Sequence, residues 1–114
     1  MSKIDEVAKS AAVRTLNDAF RQSLVGRSVV LTSGVSDLSA KSLEQALNEV
    51  KAFDRFAKDN DPYGEHDFSA FDVAGQKLFF KIDYYDPGME AGSDDPTDPL
   101  KTTRVLTLML AEEY

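Results

Sequence analysis

Apolar residues near the start of the chain recur at three- and four-residue steps. Ile4, Val7, Ala8, Ala11, Ala12, Leu16, Ala19, Phe20 and Leu24 fall on one stripe, which predicts an amphipathic helix from residue 3 to about 24. Asp5 and Glu6 in its first turns and Arg21 near its end suit the helix dipole, and Gly26 is a natural stop. Ser28–Ser33, short and β-branched between glycines, reads as a strand. A second helix follows, with Ser39 as N-cap and Ser36 and Asp37 as competitors. Leu43, Ala46, Leu47, Val50, Phe53, Phe56 and Ala57 make its apolar stripe. The cluster Asp59–Gly64 breaks this helix, because Pro62 lacks an N–H and biases Asp61 away from helical geometry.

The period then changes to two. His66–Val73 and Gln76–Tyr85 read as strands joined by the two-residue loop Ala74-Gly75, a β-hairpin. In the second strand Leu78, Phe80, Ile82 and Tyr84 point one way, and Lys77, Phe79, Lys81, Asp83 and Tyr85 the other. Phe68 and Phe71 break strict alternation, so a bulge is expected near Ser69-Ala70. Asp86–Pro99 is a polar Pro/Gly/Asp loop. Asp98 as N-cap with Pro99 at the first helical position predicts a last helix, although Thr102–Leu110 is β-branched enough to be a strand. The resulting class is α+β: a small antiparallel sheet with a central hairpin, covered by roughly three helices, in the order α-β-α-β-β-α. Residues 1–114 form a single domain.

Charge adds a direction to this picture. The net charge of −7 is concentrated: residues 59–98 hold 11 acids and 2 bases, whereas residues 1–58 hold 7 acids and 9 bases. Such a focused negative field repels nucleic acid and attracts basic surfaces. The chain contains no cysteine, which excludes disulfides, thiolate metal sites and cysteine nucleophiles and suits a reducing compartment. No signal-peptide core and no membrane-length apolar run is present, so a cytoplasmic protein is expected.

Complete catalytic or cofactor motifs are missing. The acids of 86–98 lack the spacing of a calcium loop, Gly88 and Gly92 do not make a phosphate loop, and Ser33-Gly34 lacks the flanks of a nucleophile elbow. No catalytic residue, metal or cofactor is assigned. Glu65, His66, Asp67 and Asp83 are the one group that could converge for acid–base work or a hard cation, but alternation puts His66 opposite Glu65 and Asp67.

The blocks YGEHDFSAF, FFKIDYYD and DPTDPLKTTRVLTLMLAEEY resemble an uncharacterised bacterial family, domain of unknown function number 3768. LNDAFRQSL, VVLTSGV and VKAFDRFAKDNDPYGEHDF extend the resemblance from about Arg14 to Tyr114. The family brings no established activity. Its members are often encoded on plasmids and other mobile regions, which implies anti-defence, plasmid-maintenance or conjugation roles.

Two function classes follow. In the first, the chain is a small acidic interaction module, an inhibitor of nucleic-acid-mimic type carried on a mobile element. It docks on a basic protein surface of a larger nucleic-acid-handling partner, with no direct nucleic-acid or membrane contact. Asp61, Glu65, Asp67, Asp72, Asp83 and Asp86 supply charge, with Tyr63 and Tyr85 as anchors. In the alternative, a small metal-dependent or acid–base enzyme is centred on Glu65-His66-Asp67 and Asp83. A purely structural subunit, with the first helix as a dimer seam, is a third option.

Overall fold

The structure is a computed structural model and describes residues 3–24 and 28–114. In chain order the elements are α1 (Lys3–Ser23), β1 (Val29–Leu31), α2 (Ser33–Ser36), α3 (Ala40–Ala52), β2 (Phe68–Val73), β3 (Gln76–Tyr85) and β4 (Thr103–Leu110), with a 3₁₀ turn at Ala111–Glu113. Four strands form one sheet in the order β1-β4-β3-β2. The helices cover one face of it. The expected α+β class holds, and Ser39 caps α3 by accepting a hydrogen bond from the Ser42 N–H at 3.1 Å. The expected stop at Gly26 lies outside the described residues.

The last element departs from expectation. Thr103–Leu110 is a strand, not a helix. Asp98 and Pro99 form a turn instead of a helix start: the Asp98 carboxylate accepts from the Leu100 N–H, and the Asp98 carbonyl from that of Lys101. β4 then lies between β3 and β1, so both of its edges are hydrogen-bonded and both of its faces are largely covered. A strand in that position is apolar without alternation, which is how VLTLML mimics a helical run. β4 also changes the sheet from antiparallel to mixed, because β1 pairs with it in parallel, Val29 beside Leu106 and Leu31 beside Leu108.

The hairpin forms as expected but without a bulge. Register is continuous from Phe68 opposite Lys81 to Val73 opposite Gln76. Ser69, not Phe68, faces the helices and is buried. Phe68 instead joins Phe79 and Tyr114 on the far face, at ring separations of 5.2, 5.6 and 5.5 Å. That second aromatic cluster removes the need for a bulge.

The main core lies between the helices and the sheet. Leu78, Phe80, Leu106 and Leu108 are fully buried under Val35, Ala46, Val50 and Phe53. Burial of each such side chain contributes about 1.5–3 kcal/mol. α1 does not join through the stripe anticipated for it. Ile4 and Val7 remain 80% and 63% exposed, and the buried face is Val13, Asn17 and Arg21, with Phe20 and Leu24 beside it. α1 is therefore held largely by polar groups. α3 ends at Ala52, sooner than its apolar pattern suggests. Phe53 and Phe56 continue into the core from an extended segment, with their rings edge-to-face at 4.8 Å.

Candidate functional site

Strand polarity sorts the connections to two ends of the sheet. The hairpin turn Ala74-Gly75 and the 3₁₀ turn lie at one end. The elbow 59–67, which feeds β2, and the loop 86–102, which joins β3 to β4, lie at the other, because Ile82 is bonded beside Asp67 and Tyr85 is paired with Thr103. The elbow holds four acids, and the loop holds five acids against Lys101. The acid-rich connections thus meet at one end.

Beneath them sits a polar core. Asn17 donates to the Glu65 carbonyl at 2.9 Å and to the Tyr84 hydroxyl at 2.8 Å, and its carboxamide oxygen accepts from Arg104 Nε at 2.7 Å. The Tyr84 hydroxyl donates onward to the Glu65 carboxylate at 3.4 Å. A second Arg104 nitrogen donates to the Pro96 carbonyl at 2.6 Å, and Arg14 donates to the Gly64 carbonyl at 3.1 Å. One asparagine on α1 therefore ties elbow, sheet and loop together. The reason is local chemistry: elbow carbonyls released from helix and sheet still need donors, and α1 supplies them.

The elbow is fixed a second time through His66. Its backbone lies in the left-handed region at φ 57, which costs a non-glycine residue on the order of 1 kcal/mol. The Asp61 carboxylate accepts the His66 N–H at 3.2 and 3.3 Å, and the imidazole stacks on Phe56 at 3.9 Å. Nδ1 meets Asp18 at 2.9 Å, and Nε2 lies 3.6 Å from the Asp61 carboxylate. Asp18 also takes Arg21 at 3.1 Å, whose guanidinium lies over Phe56 and Phe80 and donates to the Val50 carbonyl at 2.6 Å. The Arg21 Nε is buried without a hydrogen-bond partner.

These groups are electrostatically strained where acids approach each other. Burial, then the neighbouring Asp67 and Asp61 charges, pushes the Glu65 carboxyl above its ordinary range. Burial pushes Asp67 up as well, with Asp61 and Asp83 adding to it. Burial raises the Tyr84 phenol and lowers the Arg104 guanidinium.

The residues expected to form a binding face are divided by the structure. Asp61 is buried and serves the elbow backbone. Glu65 and Asp67 lie half-buried beside Tyr84. Asp72, Asp83 and Tyr85 are on the open face of the hairpin, together with Lys77 and Lys81, and Asp83 pairs with Lys81 at 3.0 Å. Asp86 caps the next loop by accepting from the Glu90 N–H at 3.0 Å. Tyr63 is 79% exposed. A continuous track of acids along the hairpin is therefore not present, since the two bases interrupt it.

His66, Glu65, Asp67 and Asp83 do not converge either. His66 is engaged by Asp61 and by Asp18, a residue with no signal in the sequence pattern, and Asp83 by Lys81. Among the described residues no group of three or more His, Asp or Glu side chains is placed to hold a metal ion. Asn17, Asp18, Arg21 and Arg104 are the organising residues that the sequence did not reveal. Asn17 and Arg21 stand four apart beside Phe20 and Leu24, which is the one hint of them in the sequence.

Fold and site together define a small two-layer α+β domain with a polar-cored, acid-rich end. The chain belongs to the family of proteins of unknown function designated DUF3768, whose model matches residues 31–113. No curated protein and no solved structure matches the chain. The family resemblance read from the sequence is thus borne out over residues 31–113. No helix among the described residues is long and apolar enough to cross a membrane.

Proposed function

We propose that the chain is a small acidic protein-interaction module that docks its acid-rich end on a basic site of a larger partner. One observation carries this reading. Among the described residues, only Asp83 of the 11 acids in 59–98 is paired with a lysine or arginine, Lys81, while Asp61 lies beside the His66 imidazole. The rest outnumber the bases that act on them, of which Lys9 and Arg104 reach Glu65 and Lys9 and Lys101 reach Asp95, and the surplus negative field steers and selects a basic surface. Exposed Tyr63 offers an aromatic anchor at the same end. The inhibitor version, in which the acids occupy the nucleic-acid groove of a cytoplasmic partner, places the mimicking charges on the elbow and on the loop 86–102. The hairpin, with its interleaved lysines, is the less suitable carrier.

Glu90 and Asp94 are exposed, and neither carboxylate bonds within the fold, so Glu90→Lys/Asp94→Lys tests the surface without touching its frame. A partner captured by the wild-type chain and then purified should bind the double variant at least about tenfold more weakly, with a shallower salt dependence. Unchanged affinity and salt slope would sink the reading. Stability of the variant should stay within about 0.5 kcal/mol of wild type.

A further inference from the structure

β2 is an edge strand whose outer side is unpaired. The Ile82 N–H bonds the Asp67 carbonyl at 2.8 Å, so Asp67 and, by alternation, Ser69, Phe71 and Val73 spend their backbone groups on β3. Phe68, Ala70 and Asp72 then aim their N–H and C=O groups outward. No strand lies beyond β2, and no backbone hydrogen bond from a turn or loop reaches these three residues among those described. β2 has no proline, no lysine and no bulge, and its one charged side chain is Asp72.

The edge also has a wall. A groove runs along it between α3 and the end of β2, lined by Gln45, Asn48, Glu49 and Ala52 on one side and Asp72 and Val73 on the other. Its charge has one sign. Asp72 is exposed and makes no ion pair although Lys77 stands opposite it, and Asp67 stands at the entry of the strand. Besides Lys77, Arg55 is close by and is taken by Glu49 at 3.4 Å.

We propose that this edge accepts an extended basic peptide as a fifth strand of the sheet. The peptide backbone pairs with Phe68, Ala70 and Asp72, and its lysine or arginine side chains meet Glu49 and Asp72. Strand addition gives affinity through backbone hydrogen bonds, and alternate side chains give the preference for positive charge. A second copy of the chain is the poorer occupant, because it would bring Asp72 and a net charge of −7 to the same edge. The inference goes beyond the acidic-module reading, because this groove lies at the hairpin-turn end of the sheet, opposite the elbow and the loop 86–102.

The probe is a fluorescein-labelled octapeptide of alternating valine and lysine, read by anisotropy at low salt. The wild-type chain should bind it. Ala70→Pro removes one outward N–H at an edge position where proline is tolerated, and should weaken binding about tenfold while circular dichroism stays unchanged. A fully N-methylated version of the probe keeps the charge, loses the donors and should not bind. Equal binding by Ala70→Pro or by the N-methylated probe would overturn strand addition. If Glu49→Lys/Asp72→Lys still weakened binding in that case, docking at this edge would be electrostatic and not strand addition, and the acidic-module reading, which concerns the other end of the sheet, would be untouched. Absence of probe binding, or an edge-blocking dimer by light scattering, would also overturn the proposal.

Discussion

Glu113, at the hairpin end of the sheet, accepts hydrogen bonds from the Thr32 hydroxyl at 2.6 Å, the Gly34 N–H at 3.0 Å and the Leu110 N–H at 2.9 Å. These donors hold its carboxyl below the ordinary range. Glu65 and Asp67, at the loop end, are crowded by burial and by each other, and are held above it. The same residue types thus serve opposite purposes. At one end a carboxylate closes a fold by collecting orphan donors. At the other, carboxylates are kept together against their own repulsion by Asn17 and Arg104. A fold that tolerates such crowding at one end, where Lys9 and Arg104 relieve it only in part, concentrates negative potential there.

The contrast can be broken most strongly at Asn17. Asn17→Ala orphans Arg104 Nε, the Glu65 carbonyl and one partner of Tyr84 at once. Urea unfolding should show a loss of about 3 kcal/mol, the range for stranding a buried charged donor. A loss below about 1 kcal/mol would mean that the polar core does not hold the acidic end. Gly34→Ala strikes the other end. A Cβ there would lie 2.5 Å from Leu110 Cδ1 and 2.8 Å from Glu113 Oε1, so the Leu110 side chain and the hydrogen-bonded Glu113 carboxylate must move. The expected cost is about 2 kcal/mol, typical of overpacking, with faster amide exchange at Leu110. Exchange unchanged from wild type would show that the Glu113 clasp is dispensable.

The smallest effect sharpens the contrast through pH. Glu65 and Asp67 bind protons more readily folded than unfolded, so their contribution to stability falls as pH rises from the ordinary carboxyl range through their raised values. Glu113 has the opposite sign: its contribution is present above the ordinary range and is lost as pH falls through its lowered value. Glu65→Gln/Asp67→Asn should therefore stabilise the chain at pH 7, with a gain that shrinks toward about pH 4. Glu113→Gln should destabilise at pH 7, with a loss that shrinks under acid. Thermal melts across this interval check both signs, and parallel shifts in the two variants would contradict the division of the sheet into unlike ends.

Much of this frame was legible in the sequence. The hairpin, its inward row Leu78-Phe80-Ile82-Tyr84 and the Ser39 cap follow from local periodicity and cap chemistry, which need no knowledge of distant residues. What escaped were features decided by tertiary partners. The identity of β4 depends on β1 and β3 claiming both of its edges. The place of Phe68 depends on Tyr114, which lies at the far end of the chain. The buried face of α1 depends on carbonyls in an elbow nearly fifty residues away, and a polar residue that satisfies a remote carbonyl looks like a solvent-facing one until that carbonyl is placed. The candidate acids were found by composition, but composition does not separate Asp61, spent on the backbone, from Asp72, which is free of it.

The polar face of α1 also bears on the order in which the chain is made. Arg14 and Asn17 find their elbow partners 50 and 48 residues later, and Asn17 waits 87 residues for Arg104. During synthesis that face emerges long before anything exists for it to grip. Water satisfies waiting amides and guanidinium groups, whereas a waiting row of leucines would be open to the wrong neighbours. Anchoring by hydrogen bonds lets α1 remain inert until β4 arrives.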